Sequence, residues 1–287
     1  MTQAPTCREI AAALAEPLAG TAPAGAARWL LIEHRPAWGS HVINDIVPAP
    51  IRQQLRAHGI TPVAVRAPGS REAQGVCRLW LSQPDGTIAR WDTADSNARD
   101  LHVHQVAETG GAPAAAATSD EPMLLVCTNG KRDACCALLG RAIVDSVQPH
   151  HRDRVWECSH LGGHRFAGVT LLLPWNYAFQ CATAADADAV LDQALQGLLQ
   201  PAGLRGRAGR PAAHQAAEVT ARSLWQQWRL DCAVTVTDQS DHVVATDTDG
   251  NTLSIDIETG QGPTRPESCG GDAKPLHWVR ANARTSR

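Results

Sequence analysis

Residues 123–147 read Met123-Leu-Leu-Val-Cys127-Thr-Asn-Gly-Lys-Arg-Asp-Ala-Cys135-Cys136-Ala-Leu-Leu139-Gly-Arg-Ala-Ile143-Val-Asp-Ser-Val147. The apolar run from Met123 to Val126 ends at Cys127, and Leu139, Ile143 and Val147 recur every four residues, as along one face of a helix. The expected local structure is strand, polar loop, helix, with Cys127 at a strand end and Cys136 near a helix start. Such a unit belongs to an α/β fold.

The same style continues on both sides. Val169-Thr-Leu-Leu-Leu173 is an apolar run closed by Pro174, which cannot donate to a central ladder, and reads as an inner strand. Val190, Leu191, Ala194, Leu195 and Leu198 follow a helical period behind Asp186 and Asp188, which suit a helix N-terminus, and the helix should end near Pro201. Upstream, Trp29-Leu-Leu-Ile32 reads as a buried strand, Ile51-Arg-Gln-Gln-Leu-Arg opens a short helix, and Val76-Cys-Arg-Leu-Trp-Leu81 alternates like a strand. Residues 29–55 and 123–147 thus share the order strand, irregular loop, helix, which admits two related α/β units. In the first of them Glu33-His-Arg-Pro-Ala-Trp-Gly39 takes the place of the cysteine loop and carries no cysteine.

Two stretches rich in Gly, Ala and Pro, 110–120 and 201–211, read as exposed connectors. After the second, Ala216 to Trp228 is expected to form a helix carrying Leu224, Trp225 and Trp228. His242-Val-Val-Ala-Thr246 and Leu253-Ser-Ile-Asp-Ile257 flank Asp249-Gly250, a strong hairpin signal. The organisation implied is an N-terminal α/β half without the key cysteines (1–110), a cysteine-bearing region (121–200), and a C-terminal helix plus β-hairpin extension (212–287).

At 287 residues the chain has ample length for a sizeable core without disulfides. Its formal charge of -3, from 26 basic and 29 acidic residues, gives no broad field to attract nucleic acid or an anionic membrane. Nine cysteines is an odd number, and the opening Met-Thr-Gln-Ala-Pro-Thr-Cys7 lacks a basic segment running into an apolar one. Reduced thiols in a cytoplasmic protein are the expectation. No stretch approaches the roughly 18 apolar residues of a spanning helix.

The chemistry gathers between 127 and 164. Beyond Cys127 and the vicinal pair Cys135-Cys136 lies Cys158-Ser-His160-Leu-Gly-Gly-His164-Arg-Phe-Ala-Gly. Eight residues separate Cys127 from Cys136, so the spacing is not that of a short zinc knuckle, and a long loop between thiolates suits a larger centre. Gly162 and Gly163 between the two histidines let the loop turn both imidazoles inward. Thiolate with imidazole fits zinc, copper or iron, and two of each fits a 2Fe-2S cluster in which histidine partly replaces cysteine. Cys158 and His160 would share a face of a strand, leaving Cys158 as a reserve ligand.

Cys127-Thr-Asn-Gly-Lys-Arg-Asp-Ala-Cys-Cys136 and Trp156-Glu-Cys-Ser-His-Leu-Gly-Gly-His-Arg-Phe-Ala-Gly168 resemble the sucrase/ferredoxin-like proteins, thioredoxin-like ferredoxins. The likeness extends more loosely to Gly20-Thr-Ala, Trp29-Leu-Leu-Ile-Glu33, Trp38-Gly39 and Ser268-Cys269-Gly270. It implies a thioredoxin-like α/β fold, a 2Fe-2S cofactor, and ligands at Cys127, Cys136, His160 and His164. Cys136 is preferred to Cys135 because the family's second cysteine falls there. Many members carry a histidine two residues after the first cysteine, where this chain has Asn129. An electron carrier with an unidentified reductase or acceptor is the implied role, and sugar hydrolysis is not expected.

Two other classes use the same residues. A structural Cys2His2 zinc site would leave the protein colourless, and Cys135-Cys136 could perform thiol-disulfide exchange, although Cys-x-x-Cys is absent. Cys7, Cys77, Cys181, Cys232 and Cys269 read as small buried hydrophobes. His102, His104, His150 and His151 read as solvated or locally bonded. Arg132 and Arg165 are candidates to place positive charge beside a cluster. The three arginines of 203–210 read as a solvated linker rather than a nucleic-acid site.

Overall fold

The computed structural model describes residues 5–70 and 75–284. In the first half, a short helix α1 (Cys7–Ala13) precedes β1 (Arg28–Glu33), α2 (Val42–Ile46), α3 (Ala49–Ala57), β2 (Ile60–Arg66), β3 (Cys77–Ser82), β4 (Ile88–Thr93), α4 (Ser96–Thr109) and β5 (Ala117–Ser119). The second half runs β6 (Met123–Cys127), α5 (Ala134–Val147), β7 (Val155–Cys158), β8 (Val169–Leu173), β9 (Tyr177–Gln180), α6 (Ala184–Leu195) and β10 (Leu204–Arg207). Helix α7 (Ala212–Trp225) then leads to β11 (Val234–Asp238), β12 (Val243–Asp247), β13 (Thr252–Pro266) and β14 (Ala273–Ala283).

Strands β1 to β10 form one ten-stranded mixed sheet in the order β10-β9-β8-β6-β7-β2-β1-β3-β4-β5. Each half repeats one pattern. Its first strand lies parallel to its second (β1 with β2, β6 with β7) and antiparallel to its third, and the third pairs antiparallel with the fourth. A helix crosses from first strand to second, as parallel pairing requires. Another follows the fourth strand. The two related units anticipated from residues 29–55 and 123–147 are therefore present as repeated topology. Within the sheet they join where the last residues of β2 and β7 pair antiparallel, Val65 with Cys158 and Arg66 with Glu157. The carboxyl ends of the parallel strands from both halves converge at that seam.

Continuous burial along β6 and β8 follows from their interior positions, each covered on both faces. One face packs Val126, Ile143, Val144, Phe179 and Leu191 under α5 and α6. The corresponding face of the first half packs Leu30, Leu55, Leu81 and Val106 under α3 and α4. The opposite face is lined by Trp29, Trp80, Trp156, Leu125 and Leu171, and the cysteines Cys127, Cys136 and Cys158 belong to it. No helix among the described residues is long and apolar enough to cross a membrane.

The C-terminal hairpin around Asp249-Gly250 is present as β12 and β13, with Gly250 at φ +86° in the turn. It is part of a larger four-stranded antiparallel sheet, β11-β12-β13-β14. Two expectations need correction. The stretch 201–211 is not an exposed connector, because it contains β10, with Leu204 and Arg205 buried. Its arginines are drawn in by specific acceptors: Arg207 meets Glu218 and Tyr177, and Arg205 meets the 21 and 162 backbones. The last helix begins at Ala212 behind Pro211 and ends at Trp225, since Gln226 turns left-handed at φ 53°; Trp228 lies beyond it. Its buried face is small and polar, Gln215, Ala217, Glu218, Ala221 and Arg222, while Leu224 is exposed. The helix is held by the Tyr177–Glu218–Arg222 network and by Ala217 and Ala221, which pack on Val234, Ala245 and Ile255 of the C-terminal sheet.

Candidate metal centre

Cys127 is the last residue of β6, and Cys136 sits in the first turn of α5, as expected. Between them, Asp133 caps α5 by accepting from the Cys135 amide at 2.9 Å. Asn129 is buried and shapes the loop, donating to Gly39 O at 3.0 Å and accepting from the Lys131 amide at 3.1 Å. Gly140 lets α5 lie directly on the Cys127 carbonyl, where a Cβ would come within 2.1 Å of the oxygen. That close approach brings the helix-borne thiol to the strand-borne one.

The second strand of the half delivers the other donors. Cys158 ends β7 beside Cys127, its partner in the ladder. The chain then turns through Gly162 and Gly163, at φ +79° and +77°, into a short 3-10 turn, His164–Phe166. This turn stacks the His160 and His164 rings at 4.5 Å between centroids, 23° from parallel. His164 Nδ1 lies 3.3 Å from Cys136 Sγ. His160 Nδ1 is buried with no hydrogen-bond partner.

The electrostatics single out one sulfur. Hydrogen bonds from the Cys136 and Cys158 thiols, in that order, hold Cys127 well below the ordinary thiol range despite its burial, and His160 adds to the effect. The donors are pushed the other way: Cys136 mainly by its bond to Cys127, Cys158 mainly by burial. Burial, then the neighbouring His160, pushes His164 down and favours its neutral, metal-binding form. Asp133, Cys136 and His164 present donor atoms close enough to one another to hold a metal ion.

The vicinal cysteines face different surroundings. Cys135 Sγ does not join this group; it lies 3.2 Å from Cys269 Sγ and 3.9 Å from Cys7 Sγ. Cys7 and Cys269 are therefore not isolated apolar fillers. Cys181 and Cys232 are buried as expected, whereas Cys77 is only partly so. Of the candidate cations, Arg165 pairs with Glu16 at 2.6 Å, and Arg132 Nη1 lies within hydrogen-bond distance of His41 Nδ1 at 3.1 Å.

Arg205 is the support that sequence reasoning missed. Fully buried, it donates to Thr21 Oγ1 at 3.1 Å and to Gly162 O at 3.4 Å, and a Cβ at Gly163 would strike its guanidinium. Burial, reinforced by Arg165, lowers its pKa to about 9. Gly163 thus serves a purpose beyond turning the chain: it makes room for this arginine beneath the histidine loop.

Sheet and site together define a mixed α/β protein with buried cysteine and histidine groupings that could hold metal. Residues 18–206, well over half of the chain, match the family model described as Sucrase/ferredoxin-like, and the chain belongs to that family. The match spans Cys127, Cys136, Cys158, His160 and His164 but does not extend to Ser268–Gly270, nor to Cys7. No curated protein and no solved structure matches the chain.

Proposed function

We propose that the protein is a 2Fe-2S electron carrier of ferredoxin type, with Cys127 and Cys136 as thiolate ligands and His160 and His164 as imidazole ligands. The observation that carries this reading is the approach of His164 Nδ1 to Cys136 Sγ at 3.3 Å, with the His160 ring stacked on His164 and His160 Nδ1 buried and unpaired. A buried polar atom without a partner calls for an explanation, and ligation is one. The donor set fits the group: soft thiolate beside neutral imidazole suits iron, and Cys158 stands in reserve. A 2Fe-2S cluster bound there supplies a one-electron couple.

The surrounding residues have defined tasks in this reading. Burial of Cys127, Cys136 and Cys158 keeps water from the sulfurs, and Asp133 fixes the start of the helix that carries Cys136. His160 is the donor nearest to solvent, at a cleft of about 180 Å³ also lined by His41, Asn44 and Arg132, and a reductase or acceptor would approach there. Two neutral imidazoles reduce the negative charge around the iron. The midpoint potential should then lie above the roughly -400 mV of all-cysteine plant-type ferredoxins and toward the Rieske range of about -150 to +300 mV. A thioredoxin-like scaffold is the reading that the repeated strand order within each half supports. Thiol-disulfide exchange by Cys135-Cys136 is disfavoured because the two sulfurs point into separate groups.

The test is purification without oxygen, followed by iron, acid-labile sulfide and zinc analysis and a visible spectrum. Two irons and two sulfides per chain with a red-brown chromophore, lost in His164→Ala, would support the carrier. A colourless protein whose only metal is zinc lost in Cys127→Ser would replace it with a structural metal site.

A further inference from the structure

Cys7, Cys135 and Cys269 come from the beginning, middle and end of the chain, yet their sulfurs converge. Cys135 and Cys269 Sγ are 3.2 Å apart, Cys7 and Cys269 Sγ 3.5 Å, and Cys7 and Cys135 Sγ 3.9 Å. Asp133 Oδ2 completes the group at 3.8 Å from Cys7 Sγ. All four donor atoms lie within 4.8 Å of one another. We propose that these residues form a second metal centre, a Cys3Asp site for zinc, distinct from the Cys127/Cys136/His160/His164 group.

The geometry favours one ion among four donors. A tetrahedral zinc with metal–sulfur bonds of about 2.3 Å sets its sulfur atoms about 3.8 Å apart, and the observed separations of 3.2, 3.5 and 3.9 Å lie around that edge. A disulfide satisfies only two sulfurs and would leave the third cysteine and Asp133 without a role. Tetrahedral thiolate-rich sets hold zinc or iron, and zinc takes a carboxylate oxygen beside cysteine sulfurs.

The surroundings are built for the purpose. Asp133 is held by the Cys135 amide on Oδ1 and by the Cys269 amide on Oδ2, at 2.9 and 2.7 Å, so its carboxylate is oriented before any ion arrives. Cys135 lies in the first turn of the fourteen-residue α5, whose N-terminus favours a thiolate. Cys7 and Cys135 are buried and Cys269 is partly exposed, which leaves a route of entry. Zinc binding would displace the thiol protons to solvent and tie α1 and the β13–β14 turn to the helix that carries Cys136.

The experiment uses the full-length protein, made with iron and zinc supplied and purified without oxygen. Wild type should hold one zinc per chain in addition to any iron. Loss of a ligand should cost at least the roughly 10–100-fold in affinity that loss of a supporting group costs. Cys7→Ser and Cys269→Ser should therefore lose the zinc on desalting while keeping their iron, and Cys127→Ser should keep the zinc. Zinc X-ray absorption on wild type needs no variant and should report three sulfur neighbours and one oxygen. The proposal is overturned if wild type holds no zinc after incubation with zinc chloride. Retention of zinc in both serine variants, loss with Cys127→Ser, or a neighbour shell of two sulfurs and two nitrogens would overturn it as well. The iron analysis reports on the electron-carrier reading separately, so failure of either leaves the other standing.

Discussion

Replacing Gly140 with alanine sets two effects of opposite sign against each other. In the interior of α5, alanine is the better helix former by roughly 1 kcal/mol, so helix propensity alone would stabilise the variant. The added Cβ, however, would lie 2.1 Å from Cys127 O and 3.0 Å from its carbonyl carbon, where ordinary contact begins at 3.4 Å. Relief needs a displacement of about 1.3 Å, and the obstacle is strand backbone, not a side chain that can swing away. Overpacking of this kind costs about 1–3 kcal/mol, and the rigid obstacle places this case at the upper end. The expected net loss is about 2 kcal/mol, read from the urea midpoint at unchanged slope. The functional effect should be larger than the loss of stability. Metal sites tolerate ligand displacements of about 0.2 Å, whereas Cys136 rides on the helix that must move away from Cys127. Metal content per chain should therefore fall even where the variant is fully folded. Ala142→Gly, at an exposed position of the same helix, is the control and should cost about 1 kcal/mol with metal content intact. A Gly140→Ala protein as stable as wild type, with its full metal, would refute the contact between α5 and β6.

Arg205→Met leaves the acceptors at Thr21 and Gly162 unpaired, at about 1–3 kcal/mol for each buried group, and should lower both the melting temperature and metal retention. Glu16→Gln removes the charge held between Arg165 at 2.6 Å and Arg265 at 2.7 Å; a loss of about 3–5 kcal/mol is expected in urea, and a loss under about 1 would mean the buried pairs do not form. Tyr177 donates to Glu218 at 2.5 Å, and burial, then that carboxylate, pushes its pKa up to about 12. The folded state thus holds the phenol proton more tightly than the unfolded state, whose value is about 10. The associated stability, about 3 kcal/mol, is complete below pH 10 and lost as pH rises toward 12; this slope should be absent in Tyr177→Phe. On the proposed 2Fe-2S reading, Cys158→Ala should retain the red-brown chromophore and Cys136→Ala should lose it, and the reverse outcome would move the proposed ligand to Cys158.

The parts of the molecule that could be read from sequence are those in which a local pattern and the tertiary environment agree. Met123–Val126 and Val169–Leu173 are apolar throughout because both faces of their strands are covered, and the Asp249-Gly250 turn requires a residue at ease with positive φ. The donors of the 127–164 region were visible because they are close together in the chain. What stayed hidden depends on distant partners. Arg205 looks like a linker residue until Thr21 and the 162 carbonyl are seen to accept from it. Cys7 and Cys269 each look like an isolated thiol, since nothing local indicates that residues 262 positions apart share a site. The helical stripe of Leu224, Trp225 and Trp228 misled for a related reason: the face that packs is made of alanines and paired charges, which hydrophobic periodicity does not register.

The first half, whose 33–39 loop carries no cysteine, takes part in shaping the site. It meets the second half across the seam at β2 and β7, and the contacts there fall on the segments that shape the site. Ser159, between Cys158 and His160, is gripped on both sides of its backbone unit: its amide donates to Ala64 O at 2.9 Å and its hydroxyl accepts from the Ala64 amide at 3.2 Å. Thr128, next to Cys127, donates to Glu157, which is bonded in turn to Arg66 at 2.9 Å, and Arg66 lies over the Trp38 ring. Asn129 donates to Gly39 O, within the loop that replaces the cysteine loop in the first half. Each strand that ends in a candidate ligand is thus fixed just beyond or beside that ligand by a residue of the other unit. A single unit would leave the Asn129 side-chain amide and the Ser159 backbone amide without these acceptors, beside the candidate ligands Cys127, Cys158 and His160. The first half supplies that support from across the β2–β7 seam of the ten-stranded sheet.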